Sequence, residues 1–229
     1  MENGTAKYIE TVKYLERLYD YCNEKLFNNE LEKPVITVQL DSKNKAYGWF
    51  TSAKVWKWQN RIPAGLPVKS KYGEYVSDSP SVIDCEAHEI NITAQGLNRP
   101  IYELAATMIH EMCHQYASVR NIQDTSRSGS YHNKLYRRIA ETHGLTVECV
   151  KTSGWSYTEL TDESKKFIDN FLAECPEFKV IYRLPFMKGQ AVRNTSTRKY
   201  LCPVCGNSVR ATKEVHVLCV DCNKLMQEE

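Results

Sequence analysis

Four of the chain's nine cysteines stand in two pairs, Cys202-Pro203-Val204-Cys205 and Cys219-Val220-Asp221-Cys222. Each Cys-x-x-Cys makes a tight turn that offers two thiolates to one ion, and the thirteen residues between the pairs suffice for a hairpin. The surrounding thirty residues hold almost nothing to build a core from. A tetrahedral, closed, structural zinc held by Cys202, Cys205, Cys219 and Cys222 would therefore supply most of the folding energy of this module. A single such pair arises easily by chance among nine cysteines, and a redox-active pair is the rival reading. The two pairs at this spacing favour the metal. His216 then reads as a surface residue of the hairpin. The other five, Cys22, Cys85, Cys113, Cys149 and Cys175, lack metal-ligand spacing and are expected as small core hydrophobes.

Before the cysteine module the chain has room for one domain of ordinary size. At 42% hydrophobic and 25% charged residues it has the balance of a globular protein. No window approaches the roughly 18 apolar residues of a spanning helix, so no membrane partner is expected. No apolar stretch follows the N-terminal charges, and together with the odd cysteine count this points to a reducing compartment: cytoplasmic, or nucleoid- or nucleus-associated, and not secreted. The net charge of +2 divides unevenly, with nine Lys or Arg against four Asp or Glu after residue 178. Arg193, Arg198, Lys199, Arg210 and Lys213 make a nucleic acid the expected partner of the cysteine module, with a plain solvated surface as the alternative. Residues 1–178 are expected as the main domain, 179–199 as a linker and 200–229 as the cysteine module.

Apolar residues at helical spacing predict helices over 5–27, 101–119, 131–142 and 162–173, the last capped by Thr161. A β-branched run predicts a strand over 35–40, and residues 88–93 alternate well enough for another. Residues 46–58 read as a hairpin with Trp49 in one arm and Trp56 and Trp58 in the other. Residues 59–87 read as a long loop, and Trp49, Trp56, Trp58 and Trp155 as core.

The most informative motif, His110-Glu111-Met112-Cys113-His114, falls inside the apolar helix. Four helical residues turn 400°, which leaves His110 and His114 about 40° apart on one face and roughly 6 Å apart along the axis. Two imidazoles so placed can converge on one zinc ion. Glu111, about 100° round from His110, can serve the attacking water as general base. The bland alternative is a core helix with incidental histidines, but buried histidines and a buried glutamate need partners. A catalytic zinc needs a third protein ligand, and His132, Glu141 and His143 are candidates. His132 is favoured because it follows a polar loop and can fold back over the first pair. Glu141 is the carboxylate alternative, and His143 reads better as packing at a helix end. Tyr131 and Tyr136 are candidates for stabilising an oxyanion.

These residues, Ala105 to His114, then Tyr131-His132-Asn133-Lys134-Leu135-Tyr136, then the four-cysteine module, resemble the SprT-like metalloprotease family, which includes Spartan. The resemblance spans roughly residues 5–175 and 198–226. It implies a compact α+β zincin-type domain, helices packed on a small sheet, followed by a four-cysteine zinc ribbon. It implies His110, His114 and His132 as ligands of a catalytic zinc, Glu111 as general base, and a second, structural zinc in the ribbon. The implied activity is zinc-dependent endopeptidase cleavage of protein or peptide substrates by a monomer, including proteins bound or crosslinked to single-stranded or damaged DNA. A rival from another class is a nucleic-acid-binding zinc scaffold whose His site does no catalysis.

Overall fold

The computed structural model describes residues 3–41, 46–70, 73–184 and 197–229. Its contacts divide the chain after Leu184 into two units. The first runs α1 (Gly4–Phe27), β1 (Val35–Gln39), β2 (Gly48–Ile62), β3 (Pro67–Ser70), β4 (Gly73–Val76), β5 (Ser81–Thr93), α2 (Ile101–Val119), β6 (Thr125–Ser126), β7 (Tyr131–His132), α3 (Lys134–Thr142), β8 (Leu145–Val150), β9 (Gly154–Leu160) and α4 (Asp162–Glu174). Among the described residues it is mixed α and β, with four α-helices and small sheets. No helix among the described residues is long and apolar enough to cross a membrane.

α1 starts where the Asn3 side chain accepts the Thr5 N–H, and it ends where Asn28 takes a left-handed φ of 54°. Its apolar stripe of Tyr14, Leu15, Leu18, Tyr19 and Cys22 is buried in the core with Leu104, Met108, Ile109 and Met112 of α2. Truncating a fully buried leucine such as Leu18 would cost about 2–5 kcal/mol. The first sheet has the order β1-β5-β2, with β1 parallel and β2 antiparallel to β5. Ile36, Ile90 and Ile92 lie in the same core. The polar partners of these strands pair with one another. The largely buried Glu89 carboxylate accepts Thr37 Oγ1–H at 2.7 Å, Gln39 Nε2–H at 2.9 Å and Trp56 Nε1–H at 3.1 Å. A buried carboxylate so satisfied is a structural group.

Several expectations need correction. The loop expected over 59–87 is mostly strand. β2 runs on to Ile62 against Ser81 of β5, and β3 and β4 form a small hairpin between them. Residues 48–58 lie in one strand, β2, rather than in a hairpin. The register shift between Thr51 and Trp56 is a bulge that the sequence pattern presents as a turn. Trp56 and Trp58 are 42% and 44% exposed, and Trp49 and Trp155 are half-buried, so none forms the core. A projecting two-stranded ribbon has no layer to cover its outer half. Cys22, Cys113 and Cys175 are buried as expected, whereas Cys85 is half-buried and Cys149 exposed. The third helix begins at Lys134, because Tyr131 and His132 pair with Ser126 and Thr125 across a tight turn.

Residues 179–184 belong to the first unit: Ile181 N–H donates to Thr11 Oγ1, Arg183 N–H donates to Ala94 O, and Val180 packs on the core. The second unit contains β10 (Arg198–Leu201), β11 (Ser208–Ala211), β12 (Leu218–Cys219), β13 (Lys224–Leu225) and β14 (Gln227–Glu228), paired as β11-β10-β14 and β12-β13. Tyr200 is buried there, and its phenol oxygen accepts the Val215 N–H.

Candidate metal centres

α2 carries His110 and His114 one turn apart, and β7 delivers His132 from the far side of the four-residue turn after Ser126. One side-chain nitrogen from each of the three histidines lies within 4.8 Å of the other two. Nε2 of His132 stands 3.1 Å from Nε2 of both His110 and His114. Each ring is held at its other nitrogen. His132 Nδ1–H donates to Ser153 O at 3.2 Å, His114 Nδ1–H to Asp124 Oδ2 at 2.5 Å, and His110 Nδ1 meets Thr158 Oγ1 at 3.1 Å. With Nδ1–H engaged by an acceptor, the neutral tautomers of His114 and His132 would turn their Nε2 lone pairs toward each other across 3.1 Å.

Desolvation holds His110 well below the ordinary imidazole range, reinforced by His114 and His132. Desolvation, then His114, pulls His132 down to about 4. Neutral imidazoles with converging lone pairs repel unless a cation sits between them. Two nitrogens bound tetrahedrally at about 2.0–2.1 Å, the zinc–imidazole distance, stand roughly 3.3 Å apart, close to the spacing here. The donor set therefore fits a metal ion.

Glu111, the residue after His110, is 6% exposed. Desolvation pushes its carboxyl up to about 7 against the opposing pull of His114 and of the Phe50 N–H that it accepts. That N–H belongs to β2, the edge of its sheet, which passes close over α2. A Cβ at Gly48 would meet Asn91 O at 2.9 Å, Thr107 Cγ2 at 3.1 Å and Glu111 Cγ at 3.3 Å. Glycine is what lets this strand run beside the carboxylate.

The other candidate ligands lie elsewhere. Glu141 bonds Arg137 Nε–H at 2.8 Å on an exposed helix face. His143 is buried, stacked on Phe27 at 4.2 Å, with Nδ1–H donating to Ile139 O. Tyr136 is wholly buried, out of reach of a carbonyl entering from solvent. Sequence reasoning missed Asp124, Thr158, Ser153 and the Gly48–Phe50 strand. Asp124 sits in a polar loop where nothing distinguishes it from its neighbours, and Ser153 acts through its backbone.

In the second unit Sγ of Cys202, Cys205, Cys219 and Cys222 lie within 4.8 Å of one another, with Cys205 and Cys219 at 3.6 Å. Backbone N–H groups of Cys205 and Val204 favour the Cys202 thiolate and lower its pKa to about 7. This four-thiolate group could hold a second ion. Of the cations expected to face a polyanion, Arg198 pairs with Glu214 and Glu228, and Lys199 with Glu229. Arg210 and Lys213 are exposed, and Arg193 lies outside the described residues.

Comparison of the chain with family models, with curated proteins and with solved structures finds no match in any of the three.

Proposed function

We propose that this chain is a zinc-dependent endopeptidase of the SprT-like type, with one zinc at His110, His114 and His132 and a structural zinc at the four cysteines. The observation that carries the reading is the convergence of three imidazoles beside a buried glutamate. A purely structural site has no use for that carboxylate, and a catalytic one requires it. Zinc bound to the three nitrogens would acidify water and polarise a peptide carbonyl. The chain's own residues do the rest. Glu111 takes the proton of the attacking water and passes it to the departing amine, and a pKa near neutrality suits a group that must do both. Asp124, Thr158 and Ser153 hold the three rings in the binding tautomer.

Proteins crosslinked to DNA as substrates, and single-stranded or damaged DNA as partner, enter the proposal through the resemblance. The charge pattern lends them little, since two of the ribbon's cations are neutralised by its own glutamates. The test is metal content together with casein cleavage, with and without single-stranded DNA, in wild type and Glu111→Gln. Two zincs per chain in both proteins, with cleavage in wild type alone, is the expected result. Zinc retained and equal inertness of both proteins under every condition would favour the scaffold reading instead.

A further inference from the structure

The aromatic ring of Tyr136 touches all three candidate ligands. Its centroid stands 4.9 Å from that of His110, 4.7 Å from His114 and 4.6 Å from His132. The three imidazole centroids are themselves 4.9–5.1 Å apart. The four rings thus form a nearly regular tetrahedron with Tyr136 at one corner. An ion bound by the three nitrogens lies on the perpendicular through the imidazole triangle, and Tyr136 already fills that perpendicular on one side. The ion must take the other side, and its fourth coordination position must face away from Tyr136.

The backbone gives this ring little freedom. Asn133 caps α3, its Oδ1 accepting the N–H of Leu135 at 2.7 Å and of Tyr136 itself at 3.2 Å. The same residue donates its backbone N–H to Asp124 O and its Nδ2–H to Gln123 O. The segment holding the partner of His114, the third ligand and the ring beneath them is one hydrogen-bonded piece. Tyr136 is fully buried, and among the described residues its hydroxyl finds no hydrogen-bond partner. A buried unpaired hydroxyl is unfavourable, so what the position uses is the ring.

We propose that Tyr136 is a positioning residue that plugs the base of the imidazole tripod: it fixes the tilt of the three ligands, keeps water from the inner side of the ion, and makes the centre open on one side only. The inference rests on the metal reading of His110, His114 and His132, and not on proteolysis. The Nδ1 partners stop each ring from turning in its own plane, while Tyr136 stops all three from leaning inward.

The experiment is cobalt substitution of the full chain, read by visible absorption and by competition with a chelator, in wild type, Tyr136→Phe, Tyr136→Leu and Phe171→Leu. His114→Ala supplies the spectrum of the cysteine site for subtraction. Tyr136→Phe keeps the ring and is expected to hold affinity and spectrum within twofold of wild type. Tyr136→Leu is expected to bind roughly 10–100-fold more weakly at the histidine site. Its d–d bands should also weaken several-fold, as water adds from the inner side and the ion leaves tetrahedral coordination. Phe171→Leu truncates another buried aromatic, away from the site, and should leave both readouts unchanged. If Tyr136→Leu does not fold, Tyr136→Met removes the ring while keeping bulk. Wild-type affinity and spectrum in the Leu variant, or a Phe variant that behaves like Leu, would overturn the proposal. Uptake of only one cobalt by wild type would instead remove the metal reading beneath it.

Discussion

Replacing Gly154 by alanine asks whether the third ligand is held in place by the backbone beside it. A Cβ at this position would stand 2.1 Å from the carbonyl oxygen of His132 and 2.8 Å from Cε1 of Tyr131. Real Cβ contacts essentially never fall below 3.0 Å, so β7 must retreat from β9 by about 1 Å. The φ of +73° adds left-handed strain of about 1–2 kcal/mol for alanine. With the packing loss, the fold should weaken by ~2–4 kcal/mol. The retreat carries His132 with it, against a tolerance of about 0.2 Å in a metal–nitrogen bond. The histidine site should then lose metal affinity by about 10–100-fold or more. Cleavage should fall on the order of 100-fold, as expected for a 1 Å misplacement. Chelator competition at neutral pH reads the affinity, thermal unfolding checks the fold, and the cysteine site serves as internal standard. A folded Gly154→Ala protein with two metals bound at wild-type affinity would refute the claim that β9 places His132.

Other perturbations separate the remaining roles. Asp124→Ala should weaken the histidine site by about 10–100-fold, because His114 loses the acceptor that fixes its tautomer, while chelator titration of the cysteine site stays unchanged. Cys219→Ser should remove one metal equivalent and unfold residues 197–229, leaving the melting of the first unit where it was; a shift in that melting would count against independent folding. Trp58→Ala should change stability by less than about 0.5 kcal/mol, whereas Trp56→Phe should cost about 1–3 kcal/mol by stripping Glu89 of a donor; urea unfolding distinguishes them. Burial holds His143 below its ordinary 6.5, with Arg120 adding to the depression while the Ile139 carbonyl and Glu30 oppose it. The unfolded chain therefore binds the proton first, so this residue's contribution is present above pH 6.5 and is lost as pH falls toward the folded value. Unfolding of His143→Gln against wild type across that window should show a shallower acid limb, and parallel curves would disprove the assignment.

Local chemistry was readable wherever a residue's neighbours in sequence are its neighbours in space. The i, i+4 spacing of His110 and His114 needs only one helix, and the apolar positions around it specify that helix. The two Cys-x-x-Cys turns likewise carry half of their geometry within four residues each. Thr161 and Asn28 mark helix ends by backbone chemistry that acts over two or three residues. The errors fell where a partner strand decides the state. Residues 59–87 read as loop because Pro63, Gly65, Pro67, Gly73 and Pro80 interrupt every period, yet they cluster at the turns of a ribbon whose arms stabilise one another. The bulge between Thr51 and Trp56 imitated a hairpin for the same reason.

The sequence by itself determined that one helix would present two imidazoles and a carboxylate, and that the last thirty residues would bring four cysteines to two tight turns. It did so because helical periodicity and tight turns are short-range constraints. The tertiary structure alone decided which residues surround those imidazoles. Asp124, His132, Ser153, Gly154 and Thr158 come from two loops and two strands, and their approach depends on sheet register and on a glycine carbonyl contact that no local pattern encodes. It also decided that Tyr136, four residues after His132, is not another exposed aromatic but a buried ring in contact with all three imidazoles.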